Sequence, residues 1–275
     1  MERYDTIGHG YSERRIADRR IADRIRTALG SATSVANIGA GTGSYEPESL
    51  LVIPIEPSPT MIAQRPAHLA PAIRAPAEAL PLADDSVDAA MAVLTVHHWI
   101  DVVRGIREMQ RVARDTIAIV TIDTAVSEQM WLLRDYMPQT VRDRDRAEFP
   151  SIPMLTATLG ESTTVRPIPV PSDCTDGFLL AFWSRPEAVL DPRARAATSG
   201  FARLDATEVH EIVERLSDDL DSGEWDRRYG HLRTLSEFDA GLRLVTATPT
   251  GQPGRAGFQS RLSGGGTPYD PPIAH

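Results

Sequence analysis

One feature constrains this chain most: a buried-strand pattern that runs directly into a glycine-rich turn. Ser34-Val35-Ala36-Asn37-Ile38 reads as a buried strand, and Gly39-Ala40-Gly41-Thr42-Gly43 follows it without a break. Glycine lets a backbone turn sharply and lets a ligand approach it closely. A second apolar run, Leu51-Val52-Ile53-Pro54-Ile55, ends at Glu56, 17 positions after Gly39. A carboxylate there can accept hydrogen bonds from both hydroxyls of a ribose. Arg74 to Pro81 supplies a third polar loop. Three such loops at strand C-termini make an adenosine-shaped crevice. The spacing is Gly-x-Gly-x-Gly rather than Gly-x-Gly-x-x-Gly, and Pro47 interrupts the stretch where a phosphate-binding helix would start. A nucleoside without a diphosphate suits that pattern better.

The surrounding pattern is α/β. Ser86 to Leu94 holds a third apolar run. Asp101 to Ala113 carries apolar residues at 102, 103, 106, 109 and 112, which predicts a helix. Thr116 to Ile122 is a continuous apolar, β-branched run of the kind found in central parallel strands. Strands alternating with helices imply a parallel sheet with right-handed crossovers. Beyond residue 123 the pattern changes. Residues 126–149 read as helical and aromatic, 164–170 as a proline-punctuated strand near a sheet edge, and 174–240 as mainly helical. Leu242 to Thr248 is a late strand suited to pair with 164–170. The reading divides the chain into a helical lead (1–30), a nucleoside-binding core (31–125), a cap with the last strands (126–249) and a Gly/Pro/Ser-rich tail expected to be disordered (250–275).

Composition removes several function classes. All 29 basic residues are arginine, so a Schiff-base lysine, a P-loop lysine and a pyridoxal phosphate anchor are excluded. Against 38 acidic residues they leave a net charge of −9, which argues against a nucleic-acid or membrane-surface binder. The lone Cys174 makes neither an internal disulfide nor a multi-cysteine zinc site. The first residues lack the apolar core of a signal peptide, and no apolar run reaches the ~20 residues of a membrane span. A soluble cytoplasmic protein is expected, acting as a monomer or homodimer on a small molecule.

With Val35 to Gly43, Ile55-Glu56-Pro57-Ser58-Pro59-Thr60-Met61, Ala77-Glu78-Ala79-Leu80-Pro81-Leu82, Asp84 to Asp88 and Val93 to Trp99 in view, the chain resembles the class I S-adenosylmethionine-dependent methyltransferases of the small-molecule "type 11" group. That resemblance implies a Rossmann-like seven-stranded mixed sheet flanked by helices, with a helical cap over 126–160 and 174–240, and S-adenosylmethionine as cofactor. It implies that Gly39, Ala40 and Gly41 border the methionine part of that cofactor, and that Glu56 holds the ribose. Pro57 and Met61 would flank the adenine, Ala77 and Glu78 would meet its edge, and Val93 and Leu94 would lie beside the methionine. Tyr11 and Arg15 resemble a tyrosine and an arginine that relatives fold over the cofactor. Two departures stand out. Only Ser44 to Leu50 separates the glycine loop from the second strand, so the helix usual there is expected to be truncated or lost. Pro54 sits in what should be an interior strand, where a bulge or an unpaired position is expected.

His97-His98-Trp99-Ile100-Asp101 follows the fourth strand of that layout. A neutral imidazole there can take a proton from an acceptor hydroxyl or amine; the competing reading is that both histidines are structural. A metal site is not expected, because adjacent side chains diverge. Trp99 reads as a wall of the cofactor pocket or as core. Asp123, Trp131, Phe178 and Trp183 are the candidates for an acceptor pocket, against a reading as cap core. Three rival functions share these motifs: a cofactor-binding enzyme of natural-product assembly doing other chemistry, a non-catalytic cofactor-binding protein, and an RNA methyltransferase.

Overall fold

A computed structural model describes residues 16–196, 198 and 200–249. Eight strands form: β1 (Ser34–Ile38), β2 (Leu51–Ile55), β3 (Val87–Val93), β4 (Ala113–Ile122), β5 (Thr164–Pro167), β6 (Val170–Pro171), β7 (Glu237–Phe238) and β8 (Leu242–Ala247). Among the described residues ten α-helices accompany them, besides short 3-10 and π turns: α1 (Arg19–Ala28), α2 (Pro59–Ala63), α3 (Val102–Val112), α4 (Thr124–Ser127), α5 (Gln139–Glu148), α6 (Ile152–Leu159), α7 (Pro186–Leu190), α8 (Pro192–Ala196), α9 (Ala206–Asp221) and α10 (Glu224–Tyr229). The main sheet runs β2-β1-β3-β4-β8-β5, and a separate ribbon pairs β6 with β7. Strands β1 to β4 are parallel, whereas β8 pairs antiparallel with both β4 and β5. The late strand thus pairs with the proline-punctuated one, which lies at the sheet edge as its sequence predicts.

The sheet has six strands rather than seven. Beyond β2, a single parallel bridge between Ile55 and Ile73 stands where one more strand would add. Pro71, two residues before Ile73 and so on the side facing β2, lacks the amide that would extend the bridge. The same geometry decides between the two expectations for Pro54: the strand has no bulge, and the proline nitrogen is the unpaired position. Register between β1 and β2 runs unbroken from Ser34 opposite Leu51 to Ile38 opposite Ile55, without a bulge. The Pro54 carbonyl faces outward and accepts from the Ile73 amide at 2.9 Å. In a parallel strand the N–H and C=O of one residue face the same side, so the donor that proline lacks points to the nearly vacant edge.

Strand alternation assigns each face of the sheet its cover. Ala118 and Val120 of β4 face a core built from α1 and the cap, including Ile21, Ile25, Trp131, Trp183 and Trp225. Ile117 and Ile119 face the opposite core, where Ile106, Met109 and Val112 of α3 meet Leu155 and Leu159 of α6. The predicted helix over 101–113 is α3, started by the Asp101 side chain accepting from the Arg104 amide. The region 126–160 is therefore shared between the two faces.

The start of α1 is tied to the C-terminal half. Buried Asp18 caps the helix, pairs with Arg20 and accepts from the Thr175 amide at 3.2 Å. The Arg20 guanidinium holds the Asp18 carboxyl down at about 2. Arg20 also reaches Asp173 at 2.7 Å. Next to this junction Cys174 is 3% exposed, and burial pushes its thiol up to about 12. Because the thiolate is the reactive form, the native protein is expected to resist a thiol-titrating disulfide reagent at pH 8 and to release one equivalent only in denaturant. Rapid native labelling would contradict this packing.

Candidate functional site

A cleft opens where β1, β2 and β3 end. It is lined by the glycine loop, by Glu56 to Ser58 and Met61, by Pro76 to Glu78, by Val93 to Thr95, and by His98 to Ile100. Asn37, Ser44 and Tyr45 complete its wall. The glycine at 39 is dictated by close approach as well as by backbone conformation. Its φ is +68°, and a Cβ built there would lie 2.0 Å from the Thr95 hydroxyl oxygen. The β3 exit is also unusual: Leu94 has a φ of 52° and donates its amide to the Val120 carbonyl at 2.8 Å. Such a conformation in a non-glycine residue is strained and tends to occur at functional sites.

Glu56 is 6% exposed. One carboxylate oxygen accepts from the Gly41 amide at 2.8 Å and the other from the Ser58 amide at 2.9 Å. Each oxygen carries a further lone pair, so the group can still accept two hydroxyl donors. Burial raises its pKa, and the two backbone donors oppose that rise. Ser58 itself caps α2, which carries Met61 into the cleft wall.

The helix expected to be lost between β1 and β2 is absent, and turns take its place. A buried ion pair holds them. Arg65 and Glu46, 4% and 2% exposed at their side chains, meet at 2.8 Å. Arg65 also donates to the Gly41 carbonyl at 3.2 Å, and Glu46 accepts from the Asn37 side-chain amide at 3.1 Å. Gly41 is thus held at its amide by Glu56 and at its carbonyl by Arg65. Nothing in the local sequence signals this pair, because 19 residues separate its members. The same holds for Tyr45, whose hydroxyl donates to buried Asp176 at 2.8 Å and joins the C-terminal half to the cleft wall.

Among the residues named from sequence, the cleft gathers Gly39, Ala40, Gly41, Glu56, Pro57, Met61, Ala77, Glu78, Val93, Leu94 and His98. Tyr11 and Arg15 lie outside the described residues, as does the 250–275 tail. The Glu78 carboxylate accepts from the Ile100 and Asp101 amides at 2.7 and 3.0 Å, so it braces one cleft loop against another. The two histidines differ in position. His98 lines the cleft, whereas the His97 ring stacks on Phe149 at 4.1 Å.

The four acceptor candidates do not line this cleft. The Trp131 indole donates to the Trp183 carbonyl at 2.8 Å, and the Trp183 indole to Val170 at 2.9 Å. Both rings are core, with Phe178 beside them, because a satisfied indole and a large buried face stabilise the cap most. Asp123 pairs with Arg243 at 3.4 Å, which also holds Asp239 at 2.6 Å. Among the described residues, no three His, Cys, Asp or Glu side chains converge as a metal site, and no helix is long and apolar enough to cross a membrane.

Fold and cleft together define a nucleoside-binding protein of the Rossmann-like class. Comparison with known proteins narrows this. Residues 36–119 match the family model described as a methyltransferase domain. A protein of Anabaena variabilis, provisionally named a methyltransferase from an antibiotic biosynthesis pathway, has a crystal structure that superposes with a TM-score of 0.76. It is 34% identical, over 85% of this chain and 98% of that one. An uncharacterised methyltransferase of Mycobacterium tuberculosis is 32% identical over 130 residues, 44% of this chain and 53% of the relative. The match spans about half the length of that curated relative. A SAM-dependent methyltransferase of Thermotoga maritima shares the fold, at 16% identity over 90% of this chain and 98% of that one, with a TM-score of 0.52. The chain belongs to the class I S-adenosylmethionine-dependent methyltransferase family. The residues present fit that cofactor: a buried carboxylate with lone pairs free for two hydroxyls, beside a glycine loop with no room for a side chain at 39.

Proposed function

We propose that this chain transfers a methyl group from S-adenosylmethionine to a small-molecule acceptor by in-line displacement. The observation that carries the reading is Glu56, buried at the end of β2 with one backbone donor on each carboxylate oxygen. When bound, the cofactor supplies a methyl on a sulfonium, already a good leaving group. The chain's own residues then orient it. Glu56 takes the ribose hydroxyls, Pro57 and Met61 flank the adenine, and the Ala77 amide meets its edge. Gly39 to Gly41, with Val93 and Leu94, border the methionine. Aligning nucleophile, methyl and sulfur contributes ~7–11 kcal/mol to the rate in reactions of this kind.

We assign receipt of the acceptor's proton to His98, which lines the cleft, rather than to His97, whose ring stacks on Phe149. His98→Ala is expected to lower kcat by about 10²- to 10⁴-fold, with the loss smallest at high pH. His97→Ala should act mainly on stability through the Phe149 stack. Full turnover in both variants across pH ends the base assignment. Net charge of −9 supports a small acceptor over a nucleic acid. We read the chain as cytoplasmic and as a monomer or homodimer, which light scattering distinguishes. The direct test is incubation with S-adenosylmethionine labelled at the methyl group and a metabolite extract. Label transferred to a small molecule, with one S-adenosylhomocysteine released per methyl, supports the reading; cofactor binding without transfer to any pool overturns it.

A further inference from the structure

Helix α5 carries charge on the face where an amphipathic helix carries apolar residues. Its inward stripe is Val141, Arg144, Asp145 and Glu148, at i, i+3, i+4 and i+7, while Asp143, Arg146 and Ala147 are exposed. At one end of the stripe Val141 belongs to the same core as Trp131. At the other end Phe149, whose amide donates to the Asp145 carbonyl at 2.9 Å, stacks on His97. Helix α5 packs on α4, which starts just after β4, and His97 follows β3. The helix therefore runs across the C-terminal ends of β4 and β3. Asp145 lies one turn, ~6 Å along the axis, from the residue stacked on His97. The His98 ring, 3.8 Å from that of His97, lines the cleft.

The neighbouring arginines are matched. Arg142 donates to the Leu133 and Arg134 carbonyls, Arg146 pairs with Glu128 at 2.9 Å, and Arg203 pairs with Glu148 at 2.7 Å. Arg144 differs. Its Nε is shut off from water without a hydrogen bond, so the stem is packed. Among the described residues no acceptor reaches its two Nη groups, and these are not shut off. Asp145 feels the Arg144 charge without pairing with it, and burial pushes its carboxyl up to about 6.

We infer that Arg144 anchors the methyl acceptor and that this acceptor carries a carboxylate. This rests on the methyl-transfer reading above and deepens it by naming the acceptor's class. The outer N–H groups of a planar guanidinium match the two oxygens of a carboxylate. One unmatched guanidinium balances one negative charge. A dianionic phosphate would instead add a surplus beside Asp145 and Glu148, where like charges repel. The anchored carboxylate is held and not methylated. The methyl joins an oxygen or nitrogen of the same molecule as its bond to sulfur breaks. That electron pair stays on sulfur, the acceptor's proton passes to His98, and the product keeps its carboxylate.

The test starts from the native protein, S-adenosylmethionine labelled at the methyl group and a metabolite extract. The labelled product, isolated and treated with a carbodiimide and aniline, should gain the mass of an anilide. Its label should survive mild alkali, which cleaves methyl esters. A product without a carboxyl, one whose sole anion is a phosphate, or one that loses its methyl in alkali overturns the proposal. With the acceptor purified, Arg144→Met should raise its KM by about 10- to 150-fold, the loss of a hydrogen bond to a charged group. Arg144→Lys should recover part of that loss, and Kd for S-adenosylhomocysteine should stay unchanged in both variants. An unchanged acceptor KM in Arg144→Met, or cofactor affinity that falls in step with it, would show a merely structural arginine and overturn the anchor. If Arg144→Met does not fold, the product's chemistry still decides. A native protein that labels nothing sinks the methyl-transfer reading itself, whereas label on a product without a carboxyl sinks the anchor alone.

Discussion

Glu56→Ala is expected to weaken S-adenosylhomocysteine binding strongly, with Kd raised at least ~100-fold. Two hydroxyl donors to one carboxylate are each worth about 1.5–3 kcal/mol, and 1.4 kcal/mol is a factor of ten. The variant also strands two partners, because the Gly41 and Ser58 amides both donate to Glu56. Unmet donors in a buried loop cost about 1–3 kcal/mol each, so the glycine loop itself should shift. The charge state makes a second, independent mark. Burial raises the Glu56 pKa, so acidification protonates it earlier than an exposed glutamate. Only the ionised group offers acceptor lone pairs on both oxygens to the hydroxyls. Affinity for S-adenosylhomocysteine should therefore begin to fall on the acid side of neutrality, above the usual glutamate range, and this pH dependence should vanish in Glu56→Ala. Calorimetric affinity unchanged by the substitution refutes the ribose assignment.

Arg65→Ala is expected to be the most destabilising of the substitutions considered, by about 3–5 kcal/mol, because it leaves Glu46 buried without its cation. The Gly41 carbonyl loses its donor at the same time. Chemical denaturation measures the first effect and calorimetry the second. The double variant Glu46→Leu/Arg65→Met separates them. Stability should largely return, since an apolar pair of similar volume is often as stable as a buried ion pair. Cofactor affinity should stay reduced, since nothing then holds the Gly41 carbonyl. Loss of less than about 1 kcal/mol in Arg65→Ala, the range of an exposed pair, would contradict the buried bridge.

The same residues show how far the chain could be understood from its letters. Strands β1, β3 and β4, helix α3 and the pairing of β8 with β5 were legible because hydrophobic period is a local signal. The glycine loop and Glu56 were legible for the same reason: each lies directly at the end of a strand whose pattern announces it. The aromatic residues of the cap misled, since an apolar pocket and an apolar core demand the same side chains. Only the hydrogen bonds of the Trp131 and Trp183 indoles assign them to the core.

Local order along the chain was enough to determine an α/β sheet whose first strands run parallel, a cleft at their ends and the buried acid that lines it. Tertiary structure alone decided the rest. It joined Arg65 to Glu46 and Tyr45 to Asp176, it turned the donor that Pro54 lacks toward an almost empty sheet edge, and it laid Phe149 on His97. The reason is physical. Periodicity and turn chemistry act between neighbours in sequence, whereas ion pairs, buried hydrogen bonds and ring contacts join residues whose proximity exists only once the chain has closed.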